Sequence, residues 1–148
     1  MLPRIRGISK ELEQIVERLP PADLKKVVDA GLEITADEYA DDADIRDAIA
    51  SYQADPAQAR SLAGCLADKS NACDEAYIRL EQAGSMDESA VNFRKMCVLN
   101  GLSALLSAPD LTQHVVDRLI YDLGHGAADT DSFAAKMVDK LGSVPRRK

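Results

Sequence analysis

The chain has 148 residues, a length typical of one domain with its own hydrophobic core. Apolar residues make up 46% of it and aromatic residues only 4%, and because alanine and leucine dominate the apolar part, the composition favours helices over strands. No apolar run approaches the roughly 18 residues of a membrane-spanning helix, so we expect no membrane segment.

The N-terminus and the cysteines indicate the compartment. The first residues are charged but lack the apolar stretch of a signal peptide. Cys65, Cys73 and Cys97 are an odd number of cysteines in a chain long enough to fold without disulfides. We therefore expect free thiols and a cytoplasmic protein.

Apolar residues recur at helical spacing along most of the chain, and capping residues separate the runs. In chain order, the pattern predicts helices over residues 9–19, 22–39, 45–52, 55–66, 73–84, 85–107, 109–126 and 130–142. The pair Ser70-Asn71 is expected to break or bend the chain between the fourth and fifth helices. No segment alternates as a strand does.

The fold class predicted is therefore all-α, a single compact bundle of seven or eight short amphipathic helices over residues 1–148. Residues 1–7 and 143–148 are predicted to be flexible ends. The stretch 88–107 is expected to form the central helix, because residues 96–108 are apolar nearly all round. Within it, Asn100-Gly101 indicates either a kink or a close approach by another backbone.

The negative charge is concentrated in one segment. Nine acids and one base, Arg46, lie between Asp29 and Asp55, while the whole chain has a net charge of −7. Such a local excess makes a field that a basic partner could use. A solvated surface that keeps the protein in solution is the simpler interpretation.

Within this segment, Asp37, Asp41, Asp44 and Asp47 follow three- and four-residue spacing, so a continuous helix would place them on one face. A row of carboxylates of this kind can imitate the phosphates of a nucleic acid. Tyr39 or Tyr52 would supply the buried anchor of an interface. The predicted partner-binding residues are Asp37, Glu38, Tyr39, Asp41, Asp42, Asp44, Asp47 and Tyr52.

A metal site and a cofactor are not predicted. A calcium loop starting at Asp37 has Tyr39, Asp42 and Ala48 where the EF-hand motif needs an oxygen ligand, glycine and glutamate. A looser carboxylate site stays open as an alternative. His114 shares a helical face with Asp110 and Asp117, but it lacks further ligands at the right spacing and is interpreted as a surface histidine. His125, between two glycines, is interpreted as a helix-end residue.

No catalytic residues are predicted. The chain has no Gly-x-Ser-x-Gly turn and no Walker loop. Cys97 lies in the most apolar stretch, where a thiol is a packing group.

The leading functional hypothesis is a small acidic module that docks a basic protein through residues 37–47, in the manner of an inhibitor, immunity protein or antitoxin. The partner would be a nuclease or another nucleic-acid-binding protein, and direct contact with nucleic acid is disfavoured by the net charge. Two alternatives stay open. One is an enzyme or regulator with a helical carboxylate metal site. The other is a homo-oligomeric structural subunit that self-associates through residues 96–106.

Overall fold

The computed structural model describes residues 2–142. They are almost entirely helical, and no strand occurs among them, so the predicted all-α bundle is confirmed. Eight helices have six residues or more, and a one-turn helix and two 3-10 turns complete the set. The helices are α1 (Pro3–Ile8), α2 (Lys10–Arg18), α3 (Leu24–Glu38), α4 (Ala43–Ala54), α5 (Pro56–Ala59), α6 (Ala63–Gln82), α7 (Met86–Ser107), α8 (Gln113–His125) and α9 (Thr130–Gly142).

The N-terminal end differs from the prediction. Residues 2–7 were expected to be flexible, but α1 forms there and Leu2 and Ile5 are buried in the core. Two buried carboxylates hold this segment: Glu13 accepts a hydrogen bond from the Leu2 amide at 3.0 Å, and Asp117 accepts one from the Ile5 amide at 2.8 Å. These acceptors satisfy amides that have no partner inside the first turn of a helix. The other predicted flexible end, residues 143–148, lies outside the described residues.

The expected break at Ser70-Asn71 is also absent, because α6 runs without interruption from Ala63 to Gln82. Ser70 is buried, and its hydroxyl donates to Asn100 Oδ1 at 2.6 Å on the neighbouring helix α7. A serine inside a helix is tolerated when its hydroxyl finds such a partner. The predicted fourth helix is therefore divided between the short α5 and the first turn of α6. Helix α6 then continues through most of the predicted fifth helix.

Helix α7 has two different halves. Its C-terminal half is buried between α6, α8 and α4, as the prediction of a central apolar helix required. Gly101 lies where α8 approaches, since a Cβ atom there would be 2.9 Å from the Cβ of Asp122. Helix α7 continues through Asn100-Gly101, so this pair marks a close approach rather than an interruption.

Helices α6 and α7 pair as a helical hairpin, and its tip, the C-terminal half of α6 with the N-terminal half of α7, projects from the core. Between residues 71 and 95, all of which are described, Ser89 is the one buried residue. The main core lies elsewhere, where α1, α2, α3, α8 and α9 pack together. The tip of the hairpin is thus helical but contains little buried surface.

Candidate functional site

The acidic segment does not form one helix. Helix α3 ends at Glu38, a turn follows, and α4 begins at Ala43 with Asp42 as its N-cap. The Asp42 carboxylate accepts a hydrogen bond from the Ile45 amide at 3.2 Å, which satisfies the start of α4. Asp37 therefore lies at the end of one helix, Asp41 in the turn, and Asp44 and Asp47 on the next helix. The expected row of carboxylates on one helical face is not formed.

Asp42 and Asp44 are paired with lysines of the α6–α7 hairpin. Lys95 Nζ lies 2.9 Å from Asp42 Oδ2 and 3.5 Å from Asp44 Oδ2, and Lys69 also contacts Asp44. The hydrogen bond from Lys69 lowers the pKa of Asp44 below its usual value. These contacts hold the start of α4 against the α6–α7 hairpin. Asp42 and Asp44 are thus structural acids, and much of their charge is compensated locally.

Both tyrosines of the predicted site face the interior. The Tyr39 hydroxyl donates to the Gly126 carbonyl at 2.7 Å, and burial raises the pKa of Tyr39 well above its ordinary value. Tyr52 is buried in the core, where burial likewise raises its pKa. Both side chains are therefore part of the packing within the chain, and the prediction that one of them is the buried anchor of an interface stays a prediction.

The remaining predicted residues lie on the surface. Glu38 Oε1 accepts a hydrogen bond from the Ala128 amide at 2.7 Å and so ties α3 to the loop before α9. Asp37 and Asp41 are exposed. The Asp47 side chain is 74% exposed and lies 3.6 Å from Arg46 Nε. Of the eight predicted residues, the exposed aspartates are Asp37, Asp41 and Asp47, and we call these three the acidic surface.

A groove between α3 and α9 adjoins this surface. It has a volume of about 430 Å³, an apolar floor that includes Ile34 and Phe133, and Asp37 on its rim. Two lysines line the opposite wall, Lys136 and Lys140, and Lys140 Nζ lies 2.9 Å from Glu33 Oε2. The sequence did not reveal this groove, because its two walls are separated by about ninety residues and no motif joins them. It is an amphipathic recess with charges of both signs at its edge.

Cys97 and Asp117 both have roles inside the fold. Burial raises the pKa of Cys97 to about 11, so its thiol is protonated and inert at neutral pH. Asp117, which the sequence placed beside His114, is committed to the amides of α1. Among residues 2–142, no group of three histidine, cysteine, aspartate or glutamate side chains is arranged to hold a metal ion.

Comparisons with known proteins add no functional assignment: no family model, no curated protein and no solved structure matches the chain. Across the described helices, none is both long and apolar enough to cross a membrane.

Proposed function

We propose that this protein is a small acidic binding module that docks a basic partner protein through Asp37, Asp41 and Asp47. The observation that carries the proposal is the position of these three exposed carboxylates, one of which lies on the rim of the α3–α9 groove. Exposed acids attract a basic surface over a long range and so speed its association. A recess with an apolar floor stabilises the complex once it has formed, because apolar atoms of the partner are desolvated there.

In this proposal the partner inserts an apolar or long basic side chain over Ile34 and Phe133, while neighbouring lysines or arginines meet the acidic surface. An arginine suits both requirements, because its methylene stem packs on apolar floor atoms and its guanidinium pairs with a carboxylate. Lys136 on the far wall opposes a uniformly basic segment, whereas the charge of Lys140 is paired with Glu33. This selectivity would distinguish a specific partner from any polycation.

The finer assignment belongs to the same proposal. A cytoplasmic inhibitor, immunity protein or antitoxin that covers a nuclease or another nucleic-acid-binding protein would need such a surface. All three cysteines are free thiols, which is compatible with a reducing compartment. The chain's net charge of −7 favours a basic protein partner over nucleic acid itself.

The test is a comparison of affinity captures from the native host's lysate, read by mass spectrometry. One bait is the natural chain and the second carries Asp37→Asn, Asp41→Asn and Asp47→Asn. The matched control carries the same change of net charge at three other exposed acids, Asp110→Asn, Asp131→Asn and Asp139→Asn.

The proposal expects a basic protein that the natural chain and the control capture and the acidic-surface variant loses. With that protein purified, the affinity of the natural chain should fall as salt rises, and the acidic-surface variant should show a shallower salt dependence. Equal capture by all three baits would overturn the assignment of Asp37, Asp41 and Asp47.

A further inference from the structure

The projecting α6–α7 hairpin carries apolar side chains that the fold of the monomer does not use. Ile78 is 50% exposed, Met86 61% and Phe93 40%. Phe93 is nevertheless held in place, because its ring packs against Tyr77 with 5.4 Å between ring centres. Large apolar side chains clustered on an ordered element are a feature of interaction surfaces rather than of ordinary solvent-facing helices.

These three side chains lie on one side of the hairpin, which we call the outer face. On α7, Met86 and Phe93 precede Asn100 and Ala104 at heptad-like spacing, and on α6, Ile78 follows Ala67 at the same kind of spacing. At the base of the hairpin, Ala67, Asn100 and Ala104 line one open cleft of about 480 Å³. The outer face therefore runs from bulky apolar residues at the tip to a cleft between small residues at the base.

The opposite side of the hairpin contacts the start of α4 near the middle of the hairpin's length. Lys69 and Lys95 reach from it to the start of α4. Val91 is one turn before Lys95, so it belongs to this inner side although it is 54% exposed. Val91 is thus an exposed apolar residue of the same hairpin that lies away from the outer face.

Charge on the hairpin is arranged from end to end. Between residues 73 and 92, the tip carries one base, Arg79, among five acids: Asp74, Glu75, Glu81, Asp87 and Glu88. Arg94 and Lys95 follow on α7, and Lys95 is paired with Asp42 and Asp44. The basal cleft is lined by Arg118, whose side chain is half exposed and whose Nε lies 3.8 Å from Asp122 Oδ2. One end is thus acidic and bulky, and the other is a recess whose charged lining residue is the half-exposed Arg118, so the two ends can meet in a copy of the hairpin in the reverse orientation.

We propose that the outer face binds a second copy of this chain, with the two hairpins antiparallel across a two-fold axis. The tip of each hairpin would then enter the basal cleft of the other, so that Phe93 and Ile78 meet Ala67 and Ala104. The acidic tip would lie near Arg118 of the second copy. Because a two-fold axis repeats every contact, the pairing of one tip with one basal cleft occurs twice in the interface.

The size of the face agrees with this occupant. Two helices about 10 Å wide and about 30 Å long present a face of the order of 600 Å², close to the roughly 800 Å² per partner that stable interfaces bury. The product is a four-helix bundle made of two hairpins, an architecture in which apolar and small residues alternate across the core. The acidic surface lies on other elements and is not used in this contact.

Sedimentation equilibrium of the natural chain, from low micromolar to several hundred micromolar, tests the proposal. A reversible monomer–dimer equilibrium is expected. Phe93→Asp should weaken it at least tenfold, and since Phe93 is partly exposed in the monomer, the circular-dichroism spectrum should stay helical. Val91→Asp is the matched control, because it also replaces a partly exposed apolar side chain of α7 with aspartate, but on the inner side of the hairpin. This variant should dimerise as the natural chain does.

Ala104→Glu tests the antiparallel arrangement. It places a bulky carboxylate in the basal cleft and should break the dimer as strongly as Phe93→Asp, because the acidic tip of the second copy enters there. A dimer that Phe93→Asp breaks and Ala104→Glu leaves intact would overturn the antiparallel docking. Two results would overturn the outer face as a self-association surface. One is a dimer that Val91→Asp weakens as much as Phe93→Asp does, and the other is a natural chain that is monomeric at every concentration.

Discussion

The Ile5 amide donates a hydrogen bond to Asp117 Oδ1 at 2.8 Å and so joins the first helix to a carboxylate in the eighth. The Arg4 amide approaches the other oxygen of the same carboxylate at 3.4 Å. Asp117 is 3% exposed, so this carboxylate acts as a buried cap for a six-residue helix that is too short to be stable alone. The order of the N-terminal segment therefore depends on a residue far away in the sequence.

Replacing Asp117 with alanine should destabilise the fold by about 1–3 kcal/mol, because it leaves a buried amide without an acceptor. Urea unfolding would measure the loss, and hydrogen exchange should accelerate at residues 3–8 in particular. Asp110→Ala, at an exposed position just before the same helix, should change stability by no more than about 0.5 kcal/mol. Unchanged exchange at α1 in the Asp117 variant would contradict the capping role.

This segment shows why the sequence predicted most helices but not the first. Helices α2, α3, α8 and α9 carry apolar stripes that repeat over several turns, and this periodicity is a local property of the chain. Helix α1 has fewer than two turns and owes its stability to Glu13 and Asp117. Similarly, Ser70 was predicted to break the helix, because the sequence alone does not show that its hydroxyl donates to Asn100.

The candidate site was harder to predict for the same reason. The sequence located the concentration of acids, but which acids are free depends on Lys69 and Lys95, more than twenty residues away. The inward orientation of Tyr39 depends on the carbonyl of Gly126, and the groove requires α3 and α9 to meet. A sequence shows where acidic residues are concentrated, but the fold determines which of them pair with basic side chains.

Two helical glycines provide a matched pair for testing the α7–α8 crossing. A Cβ atom on Gly101 would lie 2.9 Å from Asp122 Cβ, whereas one on Gly64 would meet nothing within 4 Å. Gly101→Ala should therefore cost about 1–3 kcal/mol through overpacking, despite the better helix propensity of alanine. Gly64→Ala should be neutral or stabilise by up to about 1 kcal/mol. Equal denaturant midpoints for the two variants would show that α7 and α8 do not approach closely at Gly101.

Asp122 should make stability depend on pH. Its Oδ2 atom is buried without a hydrogen-bond partner, and the nearest cation, Arg118 Nε, is 3.8 Å away. Burial raises the pKa of Asp122, a rise that Arg118, Arg4 and His125 only partly oppose. Because the folded-state pKa lies above the unfolded value, ionisation opposes folding, and stability is regained as pH falls through the folded-state pKa.

Asp122→Asn should accordingly be more stable than the natural chain at neutral pH. The difference should shrink as the pH falls toward the ordinary pKa of aspartate, since the natural side chain is then protonated and also uncharged. Denaturant midpoints measured at several pH values would show this convergence. Asp139→Asn, at an exposed position, should run parallel to the natural chain, and a constant gap between Asp122→Asn and the natural chain would contradict the burial effect.

Tyr39→Phe separates a structural role from a binding role within the predicted site. The change removes the hydroxyl that donates to the Gly126 carbonyl at 2.7 Å, and it should cost about 0.5–1.5 kcal/mol of stability. Tyr121→Phe, which alters a partly exposed ring beside His125, is the control and should cost less than about 0.5 kcal/mol. Affinity for a partner captured through the acidic surface should be the same for Tyr39→Phe and the natural chain. Unchanged stability together with weakened binding would instead make the Tyr39 hydroxyl a partner contact, and the interior hydrogen bond would then be dispensable.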